Sequence, residues 1–321
     1  MIKRLFLLTA FVLLGVPVAW AQFGFGKPKD VAIVKGQPLI VLLEEEDPAT
    51  LKKLAKKPQE LADYKAYVAD YNASMQKLVP TLWKFSPSVE FKSESELPAL
   101  RKAKGPQRGV LYHLDFVLSR RHQMNGMRPV AAAAIPSVDQ YYYSSEKVSA
   151  FMIDVVGSGD QRTVWRQQVA PGTIYTSDII FSLKTMQQYL QARADGRSGG
   201  DMRADIAKNG KKLKTKTLLI DEEEVKGRLT TADIKKAYPF PYQLVPRATI
   251  EEAVASGDAR YACVRLFPAA ENIMVQVVMD AEDGSVLGYS KPNSVRVMGV
   301  GGGQAIGKNN LQDFADCARS K

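Results

Sequence analysis

Two tandem, diverged copies of one β-α-β-α-β-β-β-α domain, each built on a mixed sheet, make this an α/β chain, and three observations predict it. The same order of apolar strands and amphipathic helices runs twice. Each copy opens on a short apolar strand that meets an acidic cluster, and each closes on a hairpin followed by a helix. Helical crossovers favour parallel pairing among the first three strands, whereas a short hairpin forces antiparallel pairing on the last two.

Residues 1–21 precede the copies. Lys3 and Arg4, an apolar run over 5–18 and Ala19-Trp20-Ala21 have the form of a secretory signal peptide cut after Ala21. The run is shorter than the ~20 residues a bilayer needs. A periplasmic or secreted protein is expected, with no membrane span in the mature chain and no lipid-anchor cysteine beside the cut.

Copy one covers 22–194. Leu39-Ile40-Val41-Leu42-Leu43 runs into Glu44-Glu45-Glu46-Asp47, and a long helix carries Leu61, Tyr64, Val68, Tyr71, Met75 and Leu78 at three-and-four spacing. Trp83, Phe85 and Pro87 lead into a strand at 89–91. Ser93 and Glu96 have capping-box spacing, in which hydroxyl and carboxylate satisfy the N–H groups that a first helical turn leaves unpaired. A strand at 110–118 follows, then strands at 148–156 and 163–169 that turn at Gly157-Ser158-Gly159-Asp160. The helix at 177–193 places Ile179, Leu183, Met186 and Leu190 on one face. Asn125-Gly126, a hairpin signal, marks an extra excursion over 119–137.

A linker over 195–210 opens with Asp195-Gly196-Arg197-Ser198-Gly199-Gly200 and reads as flexible. Copy two covers 211–321. Leu218-Leu219-Ile220 meets Asp221-Glu222-Glu223-Glu224, a short helix covers 230–237, and Tyr238-Pro239-Phe240-Pro241 enters a strand at 242–245. Thr249 and Glu252 repeat the capping-box spacing; strands at 260–267, 273–279 and 285–290 follow, and a helix at 310–318 ends the copy.

Residues 242–267 (YQLVPRATIEEAVASGDARYACVRLF) followed by 275–290 (VQVVMDAEDGSVLGYS), with Asp280, Gly284 and Val286 in a D-x-x-x-G-x-V hairpin, resemble two envelope families. They are the α/β domain of the curli-secretion-channel lipoprotein and the amino-terminal domain of the Tol system's β-propeller protein. The resemblance covers about 60 residues of copy two and implies envelope assembly or protein interaction without chemistry. The lipid-bearing cysteine of the secretion lipoprotein has no counterpart, so pore formation and membrane anchoring are not carried over.

Loss of Lys3 and Arg4 lowers the formal net charge from +10 to +8. The excess gathers at Lys208, Lys211, Lys212, Lys214 and Lys216, a patch suited to an anionic envelope polymer, while no nucleic-acid module accompanies it. Arg120, Arg121, Met124, Met127 and Arg128, with Tyr141, Tyr142 and Tyr143, combine residue types enriched at interface cores and form the candidate partner surface.

Cys263 and Cys317 are the only cysteines, and an oxidising compartment leaves pairing and the free state both open. Gly302 to Lys308 fits G-x-x-x-x-G-K, but Asn309 stands where a magnesium-binding hydroxyl belongs, so no nucleotide site is expected. The acidic clusters lack a calcium-loop pattern and read as helix-start charges, so no metal is expected. His113 and His122 are the only histidines; His113 shares a strand face with Asp115, and no nucleophile pairs with it in the sequence. No residue is assigned a catalytic role, and no cofactor is expected. The leading expectation is a non-catalytic binding or envelope-assembly module with a groove between its paired domains, and an envelope protein as partner. An enzyme acting on an envelope substrate is the alternative.

Overall fold

The computed structural model describes residues 26–117, 147–169, 173–225, 229–270, 273–291 and 305–320. Among them the chain forms ten strands and nine helices in two five-stranded mixed sheets. The first half holds α1 (Pro28–Gly36), β1 (Leu39–Leu43), α2 (Pro48–Leu54), α3 (Pro58–Leu82), β2 (Val89–Ser93), α4 (Leu97–Lys102), β3 (Arg108–Val117), β4 (Lys147–Gly157), β5 (Asp160–Val169) and α5 (Thr176–Ala194). After α6 (Gly199–Asn209), the second holds β6 (Thr217–Asp221), α7 (Thr231–Ala237), β7 (Tyr242–Val245), α8 (Arg247–Ser256), β8 (Tyr261–Ala270), β9 (Ile273–Asp280), β10 (Val286–Tyr289) and α9 (Lys308–Arg319).

The sheet orders, β2-β1-β3-β4-β5 and β10-β9-β8-β6-β7, are the same topology read from opposite ends. In each, the first strand pairs parallel with the second and third, and the third, fourth and fifth pair antiparallel. Register makes the copies match residue by residue. Leu39 lies opposite Val89 as Leu218 lies opposite Tyr242, and Val110 beside Ile40 corresponds to Cys263 beside Leu219. A one-residue slip would exchange the two faces of a strand, and these pairs keep their register in both copies; even the irregularity between β4 and β5 at Ile153/Asp154 has a counterpart between β9 and β10 at Val286/Gly288. Leu39, Val41, Leu111 and Ile153 face one core, as their counterparts Leu218, Ile220, Val264 and Val278 do in the second sheet. The two halves fit tandem copies.

Local signals explain most of the element boundaries. The expected long helix stands whole as α3, with Pro58 in its first turn, where its missing N–H costs nothing; a separate short helix, α2, precedes it, capped by Asp47, which accepts from the N–H groups of Ala49 (3.3 Å) and Thr50 (2.9 Å). Val68, Tyr71, Met75 and Val79 carry the buried face of α3, while Leu61, Tyr64 and Leu78 are half-buried at its margin. The hairpin between β4 and β5 turns on Ser158 (φ 56°) and Gly159 (φ 79°), the paired positive φ values that suit a two-residue turn between right-twisted strands.

Two expectations change, and the cysteine state left open is settled. Thr249 does not cap its helix: Pro246 precedes α8, which starts at Arg247, and the Thr249 N–H bonds Pro246 O at 3.0 Å. The region read as a flexible linker contains α6, which Ser198 and Asp201 start with a reciprocal capping box. Cys263 and Cys317 are both free; Cys263 packs with the core on one face of the second sheet, Cys317 against the core on the other, so the sheet separates them.

Four apolar cores cover the two faces of each sheet. Helix α5 belongs to two of them. Ile179, Leu183, Met186 and Leu190 enter the first half's core, while Ile180 and Phe181 pack with Leu219, Cys263, Val277 and α8 of the second half. The closing helix of one copy thus covers the sheet of the next.

Candidate ligand-binding cleft

Because α5 serves both halves, its flanks must be bolted to each. At its start, Glu251 accepts from Ser177 N (2.8 Å) and Ser177 Oγ (2.6 Å), supplying a negative group to the helix N-terminus. The carboxylate of Asp178 pairs with Arg265, both side chains being buried, and burial pulls the Arg265 guanidinium down to about 10. Arg247 stacks over the Tyr175 ring at 5.3 Å and also binds Asp221 (2.7 Å) and Glu224. Farther along, Lys184 Nζ donates to Ala281 O (3.3 Å) and Glu282 O (2.6 Å), and Gln188 Nε2 donates to Asp283 O (2.7 Å).

The turn between β9 and β10 approaches α5 so closely that Gly284 (φ 72°) has no room for a side chain. A Cβ built there would lie 2.7 Å from Lys184 Cβ. Glycine is required twice over, by conformation and by space.

Beyond these contacts the halves part into a cleft of about 700 Å³. Its floor is the C-terminal stretch of α5, with Gln187, Gln188, Tyr189 and Gln191. Leu82, Phe85 and Trp165 form the first-half wall; Met202, Ile206 and Asn209 of α6, with Asp283 and Val286, form the other. The volume is that of ordinary ligand sites, and the lining mixes apolar residues with amide and charged side chains. Tyr189 is 4 % exposed and its ring lies 4.2 Å from that of Trp165. Its hydroxyl has no hydrogen-bond partner among the described residues, and burial pushes it up to about 12. Burial also draws the Lys184 ammonium below its ordinary range. A smaller cavity of about 270 Å³ lies beside Ile206, Tyr289 and Cys317.

The residues singled out in the sequence lie elsewhere. Arg120, Arg121, Met124, Met127, Arg128, Tyr141, Tyr142 and Tyr143 fall outside the described residues, as do the signal segment and His122. The lysine run is not one patch. Lys208, Lys211 and Lys214 are exposed, but Leu213 is core, and Lys212 and Lys216 turn inward to the fully buried carboxylate of Asp280 at 3.1 and 2.8 Å. His113 bonds Glu44 at 2.7 Å and packs between the rings of Tyr71 and Phe151, away from the cleft.

The acidic clusters are divided among neighbours. Glu45 binds Ser93 and Ser95, and Asp221 and Glu224 bind Arg247. Crowding of Glu94 by burial and by Glu44 and Glu45 holds its carboxyl above the usual range. Among the described residues no His, Cys, Asp and Glu group has metal-holding geometry. Of the glycine-rich motif, Ile306 N donates to Glu224 O (2.6 Å) and Lys308 is the first residue of α9.

A groove between the paired domains was expected from the sequence, but its lining residues were not, because they come from five separate segments. One signal was there. Ile179-Ile180-Phe181 beside Leu183 gives α5 apolar residues on two faces, more than a one-sided helix needs. No helix of the described residues is long and apolar enough to cross a membrane. No family model matches the chain, no curated protein is similar to it, and no solved structure matches it.

Proposed function

We propose that this chain is an exported, non-catalytic binding or envelope-assembly module that holds its partner in the cleft between its halves. The observation that carries the reading is the cleft itself: about 700 Å³, lined by apolar, amide and charge-matched side chains, with a buried Tyr189 hydroxyl that has no partner among the described residues. The signal segment supports export, and the envelope families that copy two resembles support assembly work. Binding to an anionic polymer is the weaker reading, since Lys212 and Lys216 are paired with Asp280, Asp283 and Glu282.

The reading is tested in cells that produce the full chain. A photo-crosslinking residue placed at Gln191, on the cleft floor, is expected to give a discrete adduct in the envelope fraction, while the same residue at exposed Lys52 of α2 gives none. Equal labelling from both positions, or an unadducted protein confined to the cytoplasm with Met1 retained, would defeat it.

A further inference from the structure

We infer that the occupant of the cleft is an extended, uncharged peptide segment; this rests on the binding reading above and specifies its ligand. Charge is the first argument. Lys84, Lys184 and Arg197 are matched around the cleft by Asp195, Asp205 and Asp283, and Arg197 is held by Asp205 at 2.6 Å. Such a lining offers no net field to a polyanion or polycation.

Leftover hydrogen-bonding capacity is the second. The amide nitrogens of Gln188 and Gln191 are spent on Asp283 O and Asp195 Oδ1, which leaves their carbonyl oxygens open. Tyr189 adds a buried hydroxyl with no partner among the described residues. Gln188 and Gln191 stand three apart on one helix, about 5–6 Å between Cβ atoms. An extended chain repeats its same-side N–H groups every ~6.6 Å, twice the rise per residue, so both carbonyls meet successive backbone donors.

Shape is the third argument, and it separates peptide from sugar. Sugars are held by aromatic faces open to the ligand, yet the rings of Phe85, Trp165 and Tyr189 are all buried, at 7 %, 0 % and 4 % exposure. What the walls do offer is small apolar surfaces from Leu82, Met202, Ile206 and Val286, suited to the alternating side chains of a strand.

The probe is a pooled library of N-acetylated, C-amidated hexapeptides of uncharged residues, added to the full mature protein with the Met202 and Ile206 methyl groups observed by NMR. Concentration-dependent shifts of both methyls are expected, with a loss of roughly tenfold or more in apparent affinity when the peptide backbone is N-methylated. Gln191→Ala, at an exposed position whose amide bonds only Asp195 among the described residues, should weaken binding about tenfold while leaving Tm unchanged; Gln188→Ala should weaken it likewise and also lower Tm, since it breaks the bond to Asp283 O. Methyl shifts with cellohexaose but not with the peptides overturn the peptide assignment and leave the cleft as a binding site. Silence from both probes beside a Gln191 crosslink also overturns it, and silence with no crosslink sinks both readings.

Discussion

Helices α5 and α9 close equivalent copies, yet they are different kinds of surface. Around α5, Ile179, Leu183 and Met186 meet one sheet while Ile180 and Phe181 meet the other. Around α9, Leu311, Phe314, Ala315 and Ala318 meet a single core, and Gln312 and Asp316 stay exposed. A duplicated domain leaves each sheet with a second face to cover. Here the first copy covers it for the second by adding two adjacent apolar residues to a helix that already had one apolar face. Stacking in this molecule is therefore directional, and the distinction between the helices lies in two positions.

The largest effect that would break this comparison is at Phe181. Phe181→Ala should cost about 3–5 kcal/mol in denaturant unfolding, whereas Gln312→Ala on the corresponding outer side of α9 should change stability by less than about 0.5 kcal/mol. A small loss at Phe181 would mean that the halves are stable apart. The buried pair between the halves comes next. Arg265→Met alone strands the Asp178 carboxylate and should cost about 3–5 kcal/mol, while adding Asp178→Leu should recover most of that loss, measured in the same unfolding experiment.

The smallest effect separates the two cysteines. Cys263 lies on the face covered by α5, where burial pushes its thiol up to about 12; Cys317 on α9 is also raised, but lines a cavity and is half-buried. Since the thiolate is the reactive form, a disulfide reagent at pH 8 should modify Cys317 first, and Cys263 only at the rate of global unfolding. The Cys263 shift also sets a sign. A folded-state value above the unfolded one contributes stability that is complete below about pH 9 and lost as pH rises toward 12, so Cys263→Ala should flatten that alkaline decline. Early labelling of Cys263 would contradict the seal that α5 provides.

The strands were legible because fully buried β segments announce themselves as short apolar runs bounded by turn residues, and β1 and β7 fell at their expected limits. Helices with weaker patterns were harder. Pro28 at the first turn of α1, with Val31 and Val34 three apart, is a helix start that the following strand obscured. Gly199 and Gly200 masked α6, although Ser198 with Asp201 and then Met202 with Ile206 carried the signal. The lysine run misled because a count of charges is blind to direction: Lys212 and Lys216 face a buried aspartate that lies 68 and 64 residues away in sequence. The lining of the cleft was beyond reach for the same reason, since Leu82, Trp165, Tyr189, Ile206 and Val286 become neighbours only once both sheets have formed.

Gly284 gives the experimenter a gauge block. A hydrogen atom at its α-carbon is all that stands between the β9–β10 turn and the Lys184 side chain of α5, so each carbon added there acts as a shim, prising the hairpin from its seat while every lining residue keeps its identity. Graded substitution at that one site would tune aperture separately from chemistry, and would reveal whether affinity tracks the gap or the groups that border it.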